Sequence, residues 1–256
     1  MPLTPPSERF MRRALTVPTG IELEVDVGGL PLRGDTFYNQ SVSGLGGEYH
    51  PAWYGEEWGL PKGWFPGIDC GIEVRSDGPT PLQEQYGLLT EFVDWIGQRE
   101  RHVHGPTRSC HVHINCDPNK GTACSPEHLL AAWFELRDEA YALVADRRRL
   151  TNGYAEPLHD AFRGAPEPPP RAYRSDWQRP TGIPSGVPCG SELVGQLAPH
   201  GTLELRLWDS TDNEELLHRR MDFLQVLIAR ALQLEDNAKR RARRSAKQPD
   251  RVLQEA

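Results

Sequence analysis

The chain has no run of about eighteen consecutive apolar residues, which excludes an ordinary membrane-spanning helix. Its start, "MPLTPPSERFMRRALTVP", has no apolar core of the kind a secretory signal needs, so none is expected. Cysteine is scarce: Cys70, Cys110, Cys116, Cys124 and Cys189 form an odd set without a CxxC pair. That argues against a disulfide framework and against a structural zinc knuckle, and makes a reducing cytoplasm the simplest setting. No GxxxxGK[ST] occurs, so a P-loop is excluded. There is no internal repeat. Positive charge is not in excess either, because 29 Lys and Arg against 36 Asp and Glu leave a formal −7. A general nucleic-acid binder is therefore not expected.

What remains is a chain of 256 residues, 38% apolar and 25% charged, long enough to bury one large core. Residues 1–236 read as a single domain. Within it, "GIELEVDVG" from Gly20 is a strand with glutamates at alternate positions. Residues 28–67 are rich in Gly and aromatics, including Trp53, Trp58 and Trp64, and read as an ordered insertion without regular structure. "DCGIEVRSDGP" (69–79) is a second strand ending in a turn. A helix follows, with Thr80 as N-cap, Pro81 at N1, Gln83 closing a capping box, and a stripe of Leu82, Tyr86, Leu89, Val93 and Ile96.

"CHVHINC" is the next strand, and Ser125–Pro126 open a second helix carrying Leu129, Leu130, Trp133, Leu136, Ala140, Tyr141 and Val144. Residues 155–200 are Pro-rich and hold Arg171, Arg174, Trp177 and Arg179; they read equally as a linker-like loop or as a lid over a site. "HGTLELRLWDS" is the last clear strand, and Thr211 or Asp212 caps a third helix with Leu216, Leu217, Met221, Leu224, Ile228 and Leu232 on one side. Residues 237–256, with "KRRARRSAK" at 239–247, read as a flexible, solvated basic tail, which leaves nucleic-acid or partner binding open there.

Four strands share one pattern. Glu22 with Glu24, Glu73 with Arg75, His111 with His113, and Glu204 with Arg206 stand at i and i+2, so each pair projects from one face. The residues between them, Leu23, Val74, Val112 and Leu205, are apolar. One such pair is what any half-exposed antiparallel sheet shows. Four in one sheet would gather four carboxylates, two imidazoles and two guanidinium groups on one face. Like-charged carboxylates repel unless cations neutralise them. A carboxylate-dominated set suits hard ions such as Mg²⁺ or Mn²⁺, whereas zinc prefers more nitrogen or sulfur. Cys110 has the opposite parity to His111 and points into the other layer. Arginine beside such a set points to phosphate, and the combination to phosphoryl transfer.

"GIELEVD", "DCGIEVRSDGP", "CHVHIN" and "GTLELRLWDS", in that order and spacing, resemble the amidoligase family, whose core is similar to those of glutamine synthetase and glutamate–cysteine ligase. "DRRRLTNGY" after the second long helix resembles the family's arginine–asparagine element. The resemblance implies an α+β fold: a curved antiparallel sheet with a concave active-site face and helices on the other. It implies an ATP-dependent carboxylate–amine ligase, in which a substrate carboxylate attacks the γ-phosphate and an amine or ammonia then displaces phosphate from the acyl phosphate. Mg²⁺ or Mn²⁺ would be held by Glu22, Glu24, Glu73, His111 and Glu204. His113 would contact the nucleotide, Arg206 would hold the transferring phosphate, and Glu73 and Arg206 would be the catalytic pair. Arg148, Asn152 and Tyr154 are the further candidates for nucleotide or substrate contacts.

"EVRSDGP" departs from the family pattern by Arg75 and two extra residues before its proline, and Arg75 is either a salt-bridge partner or a substrate contact. Two other classes stay open. One is a zinc hydrolase using His111 and His113, with a third His or Asp ligand at a strand end, for which His50, His102, His104 and His200 are available. The other is a non-catalytic binding protein using the basic tail and the aromatic loop. Expected partners are a small-molecule or peptide carboxylate and an amine or ammonia, with no membrane; oligomeric state is not readable.

Overall fold

In a computed structural model the chain is described over residues 5–27, 59–68, 72–76, 79–99, 101–102, 109–145, 193–196 and 201–246. The elements run α1 (Glu8–Ala14), β1 (Pro18–Val27), β2 (Trp64–Ile68), β3 (Ile72–Ser76), β4 (Thr80–Pro81), α2 (Leu82–Gly97), β5 (Arg101–His102), β6 (Ser109–Asn115), α3 (Pro126–Tyr141), β7 (Leu193–Gln196), β8 (Thr202–Asp209) and α4 (Glu214–Ala246). The described strands form one open sheet in the order β2-β3-β1-β6-β8-β7, with β4 and β5 attached to β1. Every pairing is antiparallel. The architecture is α+β.

Register sorts the two faces. Leu23 lies opposite Val74 on one side and Cys110 on the other, Ile21 opposite Val112, and Val112 opposite Leu205. All of these are buried in one core together with Leu89, Trp133, Leu224 and Ile228 of the helices. Period-2 alternation along the strands thus meets period-3.6 stripes along the helices. Trp133 is fully buried, and truncating such a side chain to Ala costs about 3–5 kcal/mol.

One irregularity matters. Cys110 pairs with Trp208 but Val112 with Leu205, so Arg206 and Leu207 of β8 together stand opposite His111. This bulge shifts parity. Strict alternation would send Trp208 to the same face as Glu204 and Arg206. Instead Trp208 is buried in the core, donates Nε1–H to Ala140 O at 3.1 Å, and meets Phe223 edge-on.

Several sequence expectations need correction. The second helix of the chain, α2, begins at Leu82, with Thr80 and Pro81 in a short strand paired to Pro18 and Thr19 and no side-chain cap bond. Gln85 takes the bridging role instead, donating from Nε2 to Thr19 O and Thr80 Oγ1 at 2.6 and 2.8 Å. The last helix is capped by Asn213, whose Oδ1 accepts from Leu216 N, rather than by Thr211 or Asp212. That helix does not give way to a flexible tail at 237 but continues to Ala246, supported by i,i+4 ion pairs Glu235–Lys239 and Asp236–Arg240. The insertion 28–67 ends in strand β2, where Trp64 is buried and its Nε1–H bonds Leu88 O. The Pro-rich stretch 155–200 contributes β7 at the sheet edge. Residues 28–58 and the rest of 155–200 lie outside the described residues.

Candidate active site

The four strands with polar pairs are consecutive neighbours in the sheet: β3, β1, β6, β8. Cross-strand pairing then builds rungs on the face opposite the core. Glu22 lies opposite Arg75 on one side and His111 on the other. His113 lies between Gly20 and Glu204. Glu24 is paired with Glu73.

Glu22 is the hub. Its Oε1 is 3.5 Å from Arg75 Nε and 3.4 Å from His113 Nε2, and its Oε2 is 3.5 Å from His111 Nδ1. Glu204 Oε1 is 3.3 Å from the same His111 Nδ1 and 3.4 Å from Arg206 Nε. The Glu204 side chain is fully buried and that of His111 is 2% exposed. Burial pushes the Glu22 carboxyl up. The contacting imidazoles of His111 and His113, together with the Arg75 guanidinium, outweigh it and hold the carboxyl well below the usual carboxylate range. Glu22 is therefore a carboxylate at any ordinary pH.

Ligand atoms of Glu22, His113 and Glu204 all lie within 4.8 Å of one another. An octahedral ion with ligands at about 2.1 Å sets neighbouring donors about 3.0 Å apart and opposite ones about 4.2 Å apart. The set is two carboxylates and one imidazole, which fits a hard divalent ion. The histidine in this trio is His113, where the sequence reading put the metal on His111. His111 touches both carboxylates through Nδ1, and its Nε2 is buried with no hydrogen-bond partner among the described residues. Among those residues no metal-competent group of three contains both histidines.

The other candidates separate. Glu24 sits beside the cluster, its Oε2 accepting from Ser109 N at 2.9 Å. Arg75 is more exposed than the rest and is an ion-pair partner of Glu22. Glu73 is paired in register with Glu24, and its side chain lies outside the described residues, as do Arg148, Asn152, Tyr154, His50, His104 and His200. His102 is in β5, paired with Asp26. Cys110 is in the core, as its parity requires. Burial pushes the Cys116 thiol up to about 12 and that of Cys124 further, so neither offers a thiolate near neutral pH.

Thr202 was missed by the sequence reading. Its Oγ1 is 3.2 Å from His113 Nδ1, which leaves Nε2 facing Glu22. The signal was present: Thr202, Glu204 and Arg206 alternate along one strand.

No protein-family model matches the chain, and no curated protein sequence matches it at a significant level.

Proposed function

We propose that the chain is an ATP-dependent carboxylate–amine ligase of the glutamine synthetase-like kind, working with Mg²⁺ or Mn²⁺. One observation carries this reading: four polar pairs from separate strands become neighbours in register, so Glu22, Glu204, His111, His113 and Arg206 meet at 3.3–3.5 Å. Holding two carboxylates side by side at a buried face is costly unless a cation joins them. Glu22, His113 and Glu204 would hold the ion, with Glu24 and Glu73 on the adjoining rung.

A bound divalent ion would neutralise phosphate oxygens during transfer. The chain's own contribution is positional. Arg206, next to Glu204 and part of the bulge, offers a guanidinium fork to the transferring phosphate. His111 brings an imidazole against both carboxylates. A substrate carboxylate oxygen would attack the γ-phosphorus, ADP would leave, and an amine would then expel phosphate from the acyl phosphate. The concave sheet of the glutamine synthetase-like fold belongs to the same proposal, as does the carbon–nitrogen ligase class.

Isothermal titration with a non-hydrolysable ATP analogue tests it. Binding should require Mg²⁺ or Mn²⁺ and weaken at least about 10-fold in Arg206→Ala and in Glu24→Ala. Unchanged affinity in both variants refutes the ligase assignment. One tightly held zinc per purified chain would instead favour the hydrolase.

A further inference from the structure

The last fully buried residue of α4 is Leu232, with Leu234 half-buried against the core, yet the helix runs on to Ala246. From Ala238 to Ser245 every residue is exposed. This arm carries Lys239, Arg240, Arg241, Arg243 and Arg244. At 100° per residue they cover an arc of about 200°, and Ala238, Ala242 and Ser245 lie in the rest. Lys239 and Arg240 are engaged by Glu235 and Asp236. Arg241, Arg243 and Arg244 have no ion-pair partner among the described residues.

Charge is segregated along the chain. Residues 237–256 hold seven basic and two acidic side chains, a net +5, which leaves −12 on residues 1–236. An acidic body with a basic helical arm presents the arm, and not its flank, to a polyanion. The arm's chemistry narrows what that polyanion is. It has no large apolar side chain between Ala238 and Ala246, so it lacks the wedge of an interfacial membrane helix. It also lacks the apolar anchors at i, i+3, i+4 and i+7 through which a helix docks on a protein groove. Attraction must then be electrostatic alone, which favours the partner of highest linear charge density. Double-stranded nucleic acid carries one charge per about 1.7 Å.

Four of the five cations are arginine, whose fork matches phosphate oxygens. A rod backed by Ala and Ser is slender enough for the major groove of B-DNA, about 12 Å wide, with the 200° arc reaching both phosphate walls.

We propose that Ala238–Ala246 is an arm that binds the phosphate backbone of duplex nucleic acid without reading its sequence. The site is independent of the sheet face and does not rest on the ligase reading. The test is fluorescence anisotropy of the full chain with labelled DNA and RNA duplexes of about 20 base pairs, against single strands, phosphatidylserine vesicles and polyglutamate. Duplex binding at low salt should fall with rising salt, and the R241A/R243A/R244A variant should bind at least about 10-fold more weakly. Its log K against log salt slope should be shallower by about 2.7, three phosphate contacts fewer.

Circular dichroism and melting temperature should match wild type, since the three side chains are exposed. Metal and nucleotide binding at the sheet face should not change, so failure of that site and failure of the arm read out separately. Absent duplex binding, equal binding by the variant, or preference for vesicles or polyglutamate would overturn the proposal.

Discussion

Two buried ionic clusters lie on the same strand, five residues apart, and they are built to opposite standards. At the end of β8, Arg220 of α4 is fully buried and uses its whole guanidinium. Nη1 donates to Asp209 O at 2.6 Å, Nη2 to Asp209 Oδ1 and Leu143 O at 3.0 Å each, and Nε to Leu143 O at 3.2 Å. Asp209 Oδ1 also accepts from Ala145 N at 3.0 Å. At Glu204 the carboxylate is as deeply buried, but its Oε1 stands 3.3 Å from His111 Nδ1 and 3.4 Å from Arg206 Nε, longer than the Arg220 contacts. The first cluster closes on itself and clasps the end of α3 to β8. The second shares one carboxylate oxygen between an imidazole and a guanidinium at longer range, which is compatible with the ion proposed for it. Burial of charge is common to both clusters, so by itself it does not separate a structural clasp from the site proposed above.

Removing one partner from each cluster gives the largest test. Arg220→Met should cost about 3–5 kcal/mol in urea unfolding, because Asp209 is left buried and uncompensated. Glu204→Gln should change stability by no more than about 1 kcal/mol, since it keeps the shape and relieves a crowded carboxylate pair. Equal losses in the two variants would erase the distinction drawn between clasp and site.

Divalent ions sharpen the same contrast. Mn²⁺ at about 100 times its dissociation constant should raise the unfolding free energy by about 2.7 kcal/mol. The increment should vanish in Glu22→Gln and in Glu204→Gln, and persist in any Arg220 variant that folds. Thermal melts with and without Mn²⁺ read this directly. An increment surviving in both glutamine variants would move the ion elsewhere.

The polar pairs themselves were legible because strand parity is a local property: Glu22, His111, Glu204 and their partners could be counted off the chain. So were the apolar stripes of the helices and the Ser125–Pro126 start of α3. Whether the four strands were neighbours depends on long-range pairing, which no local pattern encodes. The bulge opposite His111 is likewise invisible, and it decides that Trp208 joins the core while Arg206 stays at the site. Caps misled for a related reason. Thr80 and Thr211 are good N-cap types, but Thr80 is used by the sheet, and Thr211 Oγ1 accepts from Asn213 N in the turn before the helix. The balance between His111 and His113 also depended on register, since only pairing puts His113 beside Glu204.

That balance can be probed by a change that touches no carboxylate. Thr202 Oγ1 contacts His113 Nδ1 and so favours the orientation that presents Nε2 to Glu22. Thr202→Val keeps the β-branched shape at a buried strand position and exchanges only the hydroxyl, for a methyl. Mn²⁺ affinity should drop about 10-fold, the lower end for loss of a group that orients a metal-binding histidine. Thr202→Ser should restore most of it, because the hydroxyl returns. A packing defect would behave differently: Ser, having lost the methyl, would be no better than Val, and urea stability would fall with affinity. Recovery by serine at unchanged stability therefore assigns His113 to the ion. Equal affinity in all three proteins would return the metal-binding role to His111.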